Sequence, residues 1–221
     1  MKVILFGATG MVGQGVLREC LLDPTVDEVL TVGRGATGQR HPKLRELVRP
    51  DLTDLGPVED RLRSYDTCFF CLGVSSAGMS EPDYERVTYG LTVSVAGRLA
   101  RLNPGMTITY VSGAGTDSTE HGRSMWARVK GRTENALLAM PFRAAYMFRP
   151  GIIRPLHGIR SKTRGYRYLY ALLFPVVLLL AAVAPNSITT TEKMGRAMIH
   201  VAERGAPKRI LGTREINELA K

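Results

Sequence analysis

The apolar pattern begins with an unbroken run at residues 3–6. Glycines follow at 7, 10 and 13, and residues 12–22 then show helical periodicity. A short continuous apolar run bounded by glycine reads as a buried strand, and apolar residues every three to four positions read as a helix. The alternation continues along the chain. Strands are expected at 26–32, 44–48, 68–72, 106–111 and 144–149. Helices are expected at 55–63, 83–102 and 126–140. In the second of these, Tyr84, Val87, Leu91, Val95 and Leu99 form the inward stripe, and Asn103, Pro104 and Gly105 stop it. A further helix is expected at 192–204 with Thr191 as its N-cap, then a small strand within 207–211 and a short helix at 213–219. Strands alternating with helices predict an α/β Rossmann-type fold: a doubly wound, mostly parallel sheet with helices on both faces. One domain spanning 1–221 is expected, with 152–191 as a basic and apolar excursion on the substrate or partner side.

The spacing G-x-x-G-x-x-G after the first strand carries chemistry. Gly7 permits a sharp turn, Gly10 lets backbone approach a pyrophosphate, and Gly13 lets the helix sit close to the strand. The N–H groups of Thr9, Met11 and Val12 then face an anion at the helix N-terminus. At the end of the second strand stands Arg34 between two glycines, where an acidic residue would bind ribose hydroxyls. An arginine there suits a 2′-phosphate, so NADP is favoured, with NAD still open. Asp51 and Leu52 follow the third strand. They can meet an adenine, and a cap or ordinary turn explains Asp51 equally well. Leu72 and Gly73 end the fourth strand where backbone would pass the cofactor. Ser112, at the carboxyl end of the fifth strand, lies on the face where α/β enzymes do chemistry. Its other role would be hydrogen bonding within the loop.

Charge changes the picture in one region. The chain of 221 residues carries a net charge of +10. Between Glu134 and Glu192 there is no acidic residue, yet Arg143, Arg149, Arg154, Arg160, Lys162, Arg164 and Arg167 all fall there. No charge appears from 168 to 191, and the nearly continuous apolar run inside it is broken by Pro175. A bilayer span, peripheral contact with an anionic membrane, a buried lid and a homodimer surface all fit this pattern; the short length and central proline weigh against the span. Nucleic acid is disfavoured, because no recognised binding motif accompanies the basic residues. Cys20, Cys68 and Cys71 form no disulfide framework, and the four histidines form no ligand-spaced set, so no metal is expected. No secretory leader is legible, so a cytoplasmic location is expected, with peripheral membrane contact as an addition.

Taken together, GATGMVG at 7–13, Gly33-Arg34, Asp51-Leu52, Leu72-Gly73, VSGAG at 111–115, RVKGRTE at 128–134 and Arg149-Pro150-Gly151 resemble one family. The chain is similar to atypical short-chain dehydrogenases/reductases of the NAD(P)-binding epimerase/dehydratase-like kind, and within them to TIP30-type oxidoreductases. The resemblance covers the first two-thirds of the chain. It implies a catalytic serine, tyrosine and lysine, with the tyrosine four residues before the lysine. Ser112 and Lys130 match, and Trp126 stands in the tyrosine's place. Lys130 is expected to hold the nicotinamide ribose. Backbone at Pro150, Gly151 and Ile152 is expected to pass the nicotinamide. An indole N–H donates a hydrogen bond but is no acid or base near neutral pH. Another group, such as Tyr84, Tyr89, Ser112 or a water, could then carry the proton. The resemblance therefore implies an NADP-binding reductase-like protein acting on a small carbonyl or sugar-like substrate. The alternative is a non-catalytic dinucleotide sensor or scaffold with a membrane or protein partner.

Overall fold

The computed structural model describes residues 1–159 and 187–221. Among the described residues seven strands form one sheet: β1 (Lys2–Phe6), β2 (Glu28–Gly33), β3 (Leu44–Val48), β4 (Thr67–Phe70), β5 (Thr107–Val111), β6 (Ala144–Arg149) and β9 (Ile210–Gly212). Their order is β3-β2-β1-β4-β5-β6-β9, and every pairing is parallel. Two further strands, β7 (Ile152–Arg154) and β8 (Ile188–Thr190), pair with each other in parallel.

Helices cover both faces, and the period of two along β1 shows why. Val3 and Leu5 face one core, where they meet α1 (Met11–Leu22) and α5 (Thr191–Arg204). Ile4 and Phe6 face the other, with α3 (Leu91–Leu102) and α4 (Met125–Ala139). All four side chains are fully buried. A strand buried on both faces must be apolar at every position, as this one is. α6 (Thr213–Leu219) closes the chain.

On the first face, α1 and α5 pack through glycine. A Cβ on Gly15 would lie 2.5 Å from Thr191 Cβ, and one on Gly195 would lie 2.7 Å from Glu19 Cγ. The buried Glu19 is held across this contact by Arg196 Nε at 3.2 Å and along α1 by Arg18.

Several expectations change at this level. The N-cap of α5 is Thr190, not Thr191: the Thr190 hydroxyl accepts from Lys193 N, while the buried Thr191 hydroxyl accepts from Leu156 N at 3.1 Å. The helix expected at 55–63 is a 3-10 helix, Gly56–Leu62. The helix expected at 83–102 starts earlier, as α2 (Glu81–Glu85), and passes through a π-helical turn, Arg86–Gly90, before α3. The ends of the 152–191 excursion are two short strands, β7 and β8, which are absent from the strands expected above. The basic cluster from Arg160 to Arg167 and the apolar run 168–184 lie outside the described residues. Among the described residues no helix is long and apolar enough to cross a membrane.

Gly15→Ala should lower stability, because overpacking of about 1–3 kcal/mol outweighs the helix-propensity gain. Gly97→Ala should stabilise by about 1 kcal/mol, since nothing lies within 4 Å of a Cβ there. Urea unfolding of the two variants beside the parent checks the opposite signs.

Candidate functional site

The strand order reverses direction between β1 and β4, which opens a crevice at their carboxyl ends. The glycine turn sits in that crevice. Gly7 has φ +82°, and a Cβ there would lie 2.7 Å from the Cys71 carbonyl. A Cβ on Gly13 would lie 2.1 Å from Gly7 O, so only glycine lets α1 approach β1 this closely. Gly10 is the N-cap of α1, and no side chain caps the helix. Its first N–H groups, including those of Met11 and Val12, are the ones a helix leaves without internal partners, and they favour an anion.

One cavity opens at this turn, and a second adjoins it. The first, about 490 Å³, is lined by Gly7, Thr9, Gly33, Arg34, Leu52 and Leu72, among others. The second, about 320 Å³, shares Arg34, Leu52 and Leu72 and continues past Asp51, Gly73 and Tyr110 to Lys130. Both volumes fall in the range of small-molecule sites. The sequence-read residues from the first four strands thus converge. Arg34 is exposed and lines both cavities. Asp51 closes a small turn, accepting from Thr53 N at 2.8 Å and Thr53 Oγ1 at 2.6 Å, and these bonds hold its carboxyl below its ordinary value.

The remaining candidates divide. Lys130 reaches the cavity from α4, and its ammonium donates to the carbonyl oxygen of Ser112. Burial pulls it down to about 8, and the Glu134 carboxylate one turn along opposes that shift. The Ser112 hydroxyl is buried and engaged by the fully buried Glu134 and the Phe148 carbonyl. Trp126 packs over the loop after β5, its ring carbons 3.4 and 3.7 Å from where a Cβ on Gly115 would sit. Pro150 O accepts from Ala114 N at 2.8 Å, Gly151 N donates to Thr213 Oγ1 at 2.8 Å, and Ile152 pairs with Ile188. This segment is thereby tied to the loop after β5, to α6 and to β8, and it lines neither cavity. Tyr89 stacks under the Arg132 guanidinium at 4.4 Å, and Tyr84 is buried.

Sequence reasoning missed Tyr110, Glu46 and the π-turn residues Val87 and Thr88 as cavity walls. Tyr110 was detectable: it lies two positions before Ser112 and so on the same side of β5. Glu134 was detectable too, one helical turn beyond Lys130. Cys68 and Cys71 are free thiols, and burial raises both, Cys71 to about 12. Among the described residues no acidic, histidine or cysteine group could hold a metal.

No family model matches the chain. The chain is similar to the mitochondrial protein FMP52-2 of Scheffersomyces stipitis, 26% identical over 240 residues covering 98% of this chain and 96% of the relative. It is 31% identical to the mitochondrial protein fmp52-1 of Aspergillus terreus over 169 residues, 74% of this chain and 70% of the relative. The mitochondrial fmp52 of Aspergillus niger is 32% identical over 174 residues, with the same two coverages. These relatives overturn the expected cytoplasmic location, since each is named as mitochondrial. In fold, the chain matches the Bordetella bronchiseptica enzyme WbmF in complex with NAD+ at TM-score 0.69, with 15% identity over 99% of this chain and 76% of that one. It matches Pal from Bacillus thuringiensis at TM-score 0.71, with 16% identity over 100% and 81%. The fold is that of NAD(P)-binding epimerase/dehydratase-like short-chain dehydrogenases/reductases.

Lys130→Met should stabilise the nucleotide-free protein at pH 7. Folding lowers the lysine's value from 10.5 to about 8, so below pH 8 its buried charge is a cost. Between pH 8 and 10.5 the unfolded chain holds more protons and the parent's stability rises with pH. The gain should be about 2 kcal/mol after loss of the bond to Ser112. Thermal unfolding from pH 7 to 10.5 should show it fading.

Proposed function

The chain belongs to the FMP52 family, and we propose that it is an NADP(H)-binding, reductase-like protein. The observation that carries this reading is the pair of joined cavities with Arg34 along them and Lys130 at the far end. The uncapped N-terminus of α1, with its N–H groups and helix dipole, would hold the pyrophosphate. The cavity between the glycine turn and the ends of β2 and β3 would take the adenosine, with Leu52 available to the base and Arg34 to the 2′-phosphate. Lys130 would hold the nicotinamide ribose through hydrogen bonds from its ammonium.

A small carbonyl or sugar-like substrate would meet the nicotinamide at that end. Solved structures of the same fold with NAD and UDP-glucose support the sugar-like option. Hydride transfer to a carbonyl also needs a proton, and Trp126 cannot supply it. The hydroxyl of Ser112 is occupied by Glu134. These two facts favour a second reading, in which the protein senses or carries the dinucleotide without turning it over.

Arg34→Ala should weaken NADPH binding about 10- to 100-fold and leave NADH nearly unchanged, as loss of a charge-assisted phosphate contact implies. Fluorescence titration with both nucleotides checks this. Equal losses for both would remove Arg34 from the phosphate. NADPH oxidation with a panel of aldehydes, ketones and nucleotide sugars separates the two readings. Turnover by the parent supports the reductase. Turnover only after Trp126→Tyr supports the binding protein.

A further inference from the structure

Behind Lys130 lies a buried charge cluster that dinucleotide binding alone does not require. Glu134 is fully buried. Arg149, from β6, donates to both of its oxygens, with Nε at 3.1 Å from each and a second bond from Nη2. Ser112, from the end of β5, donates its hydroxyl to the same carboxylate and presents its carbonyl to the Lys130 ammonium. Lys130 and Glu134 share one face of α4, one turn apart. A buried carboxylate with two cations around it leaves net positive charge at the base of the cavity.

We propose that Glu134 is a positioning residue: it fixes Ser112 and keeps the Lys130 ammonium charged and aimed along the cavity, and so sets the pH range over which the dinucleotide is held. The proposal rests on the NADP(H) reading above. Its charge balance can be traced element by element. From α4, Glu134 faces Lys130. From β5, Tyr110 lines the same cavity, and burial keeps it neutral, far above its ordinary value. From the end of β2 comes Arg34, always charged, and from the loop after β3 comes Asp51, held ionised by Thr53. From β6, Arg149 stands behind Glu134. The π turn and α3 contribute only Val87, Thr88, Leu91 and Thr92 to the wall. Among the described wall residues, the group that titrates within pH 7–9.5 is Lys130, in line with its lowered value near 8. Removing the Glu134 charge removes the influence that opposes this lowering.

The test is the pH profile of NADPH binding from pH 6.5 to 9.5, together with the pH dependence of acetic anhydride labelling at Lys130, read by mass spectrometry without nucleotide. In the parent, affinity should hold to about pH 8 and then fall about tenfold per pH unit. In Glu134→Gln both midpoints should move down by roughly one unit, so that NADPH binds about tenfold more weakly at pH 8 and little changed at pH 6.5. Glu134→Asp should restore part of the shift. If Glu134→Gln does not fold, Glu134→Gln with Arg149→Met removes the stranded guanidinium, and both midpoints then move down in the same direction by a smaller amount, because a cation leaves with the anion. Unchanged midpoints in a folded variant overturn the proposal. A parent that binds no NADPH, but whose Lys130 labelling midpoint moves with Glu134, sinks the NADP(H) reading and leaves the positioning role standing.

Discussion

The approach of α1 to β1 at Gly13 is the constraint on which the rest of this molecule depends. Helix and strand meet there within a distance that no side chain permits, since a Cβ would fall 2.1 Å from Gly7 O. That contact sets where α1 begins. Its N-terminus then opens over the crevice between β1 and β4, and its far face becomes the surface on which α5 lies. The second contact is again made through glycine, at Gly15 and Gly195. Two close approaches in series thus tie the cofactor end of the sheet to the last third of the chain. A change at Gly13 would be felt both as lost anion binding and as lost packing.

The elements built by local pattern were legible in the sequence. β3 and β6 have the expected bounds, and the glycine turn, Arg34 and Lys130 stand where their spacing placed them. What escaped depends on contacts that no local pattern records. β7 and β8 are three residues each, too short to show alternation, and each exists only by pairing with the other. Three consecutive threonines, 189–191, offer the same hydroxyl to a helix start; only the burial of Thr191 and its bond to Leu156 N leave Thr190 as the cap. The π turn shifts the buried face by one residue, so that Thr88 and Thr92 are buried where Val87 and Leu91 were expected, and Val87 and Thr88 become cavity wall.

The candidate catalytic set divides along the same line. The position of Lys130 on the cavity wall could be read from its motif because it depends on one helix and one strand end. The direction of the Ser112 hydroxyl could not. It is decided by a carboxylate on α4 and a guanidinium on β6, and burying that carboxylate without the guanidinium would be strongly unfavourable. Ser112 offers its carbonyl to the Lys130 ammonium, and its hydroxyl is engaged by Glu134 and the Phe148 carbonyl.

Along one face of α4, successive turns carry three different chemistries. Trp126 covers the loop at Gly115, Lys130 reaches the cavity wall, and Glu134 is sealed at the base. The indole has no proton to give near neutral pH. Among the ionisable groups on the described wall, Arg34 stays charged, Asp51 stays ionised and Tyr110 stays protonated. Lys130 alone has its value near 8. Among the described wall residues, a reduction at this site would draw its proton from Lys130, with water as the other source. The same ammonium would then hold the ribose and lose its charge in each turnover, so tight holding and proton delivery would compete for one group. The buried Glu134 favours the charged form, which is the form that holds.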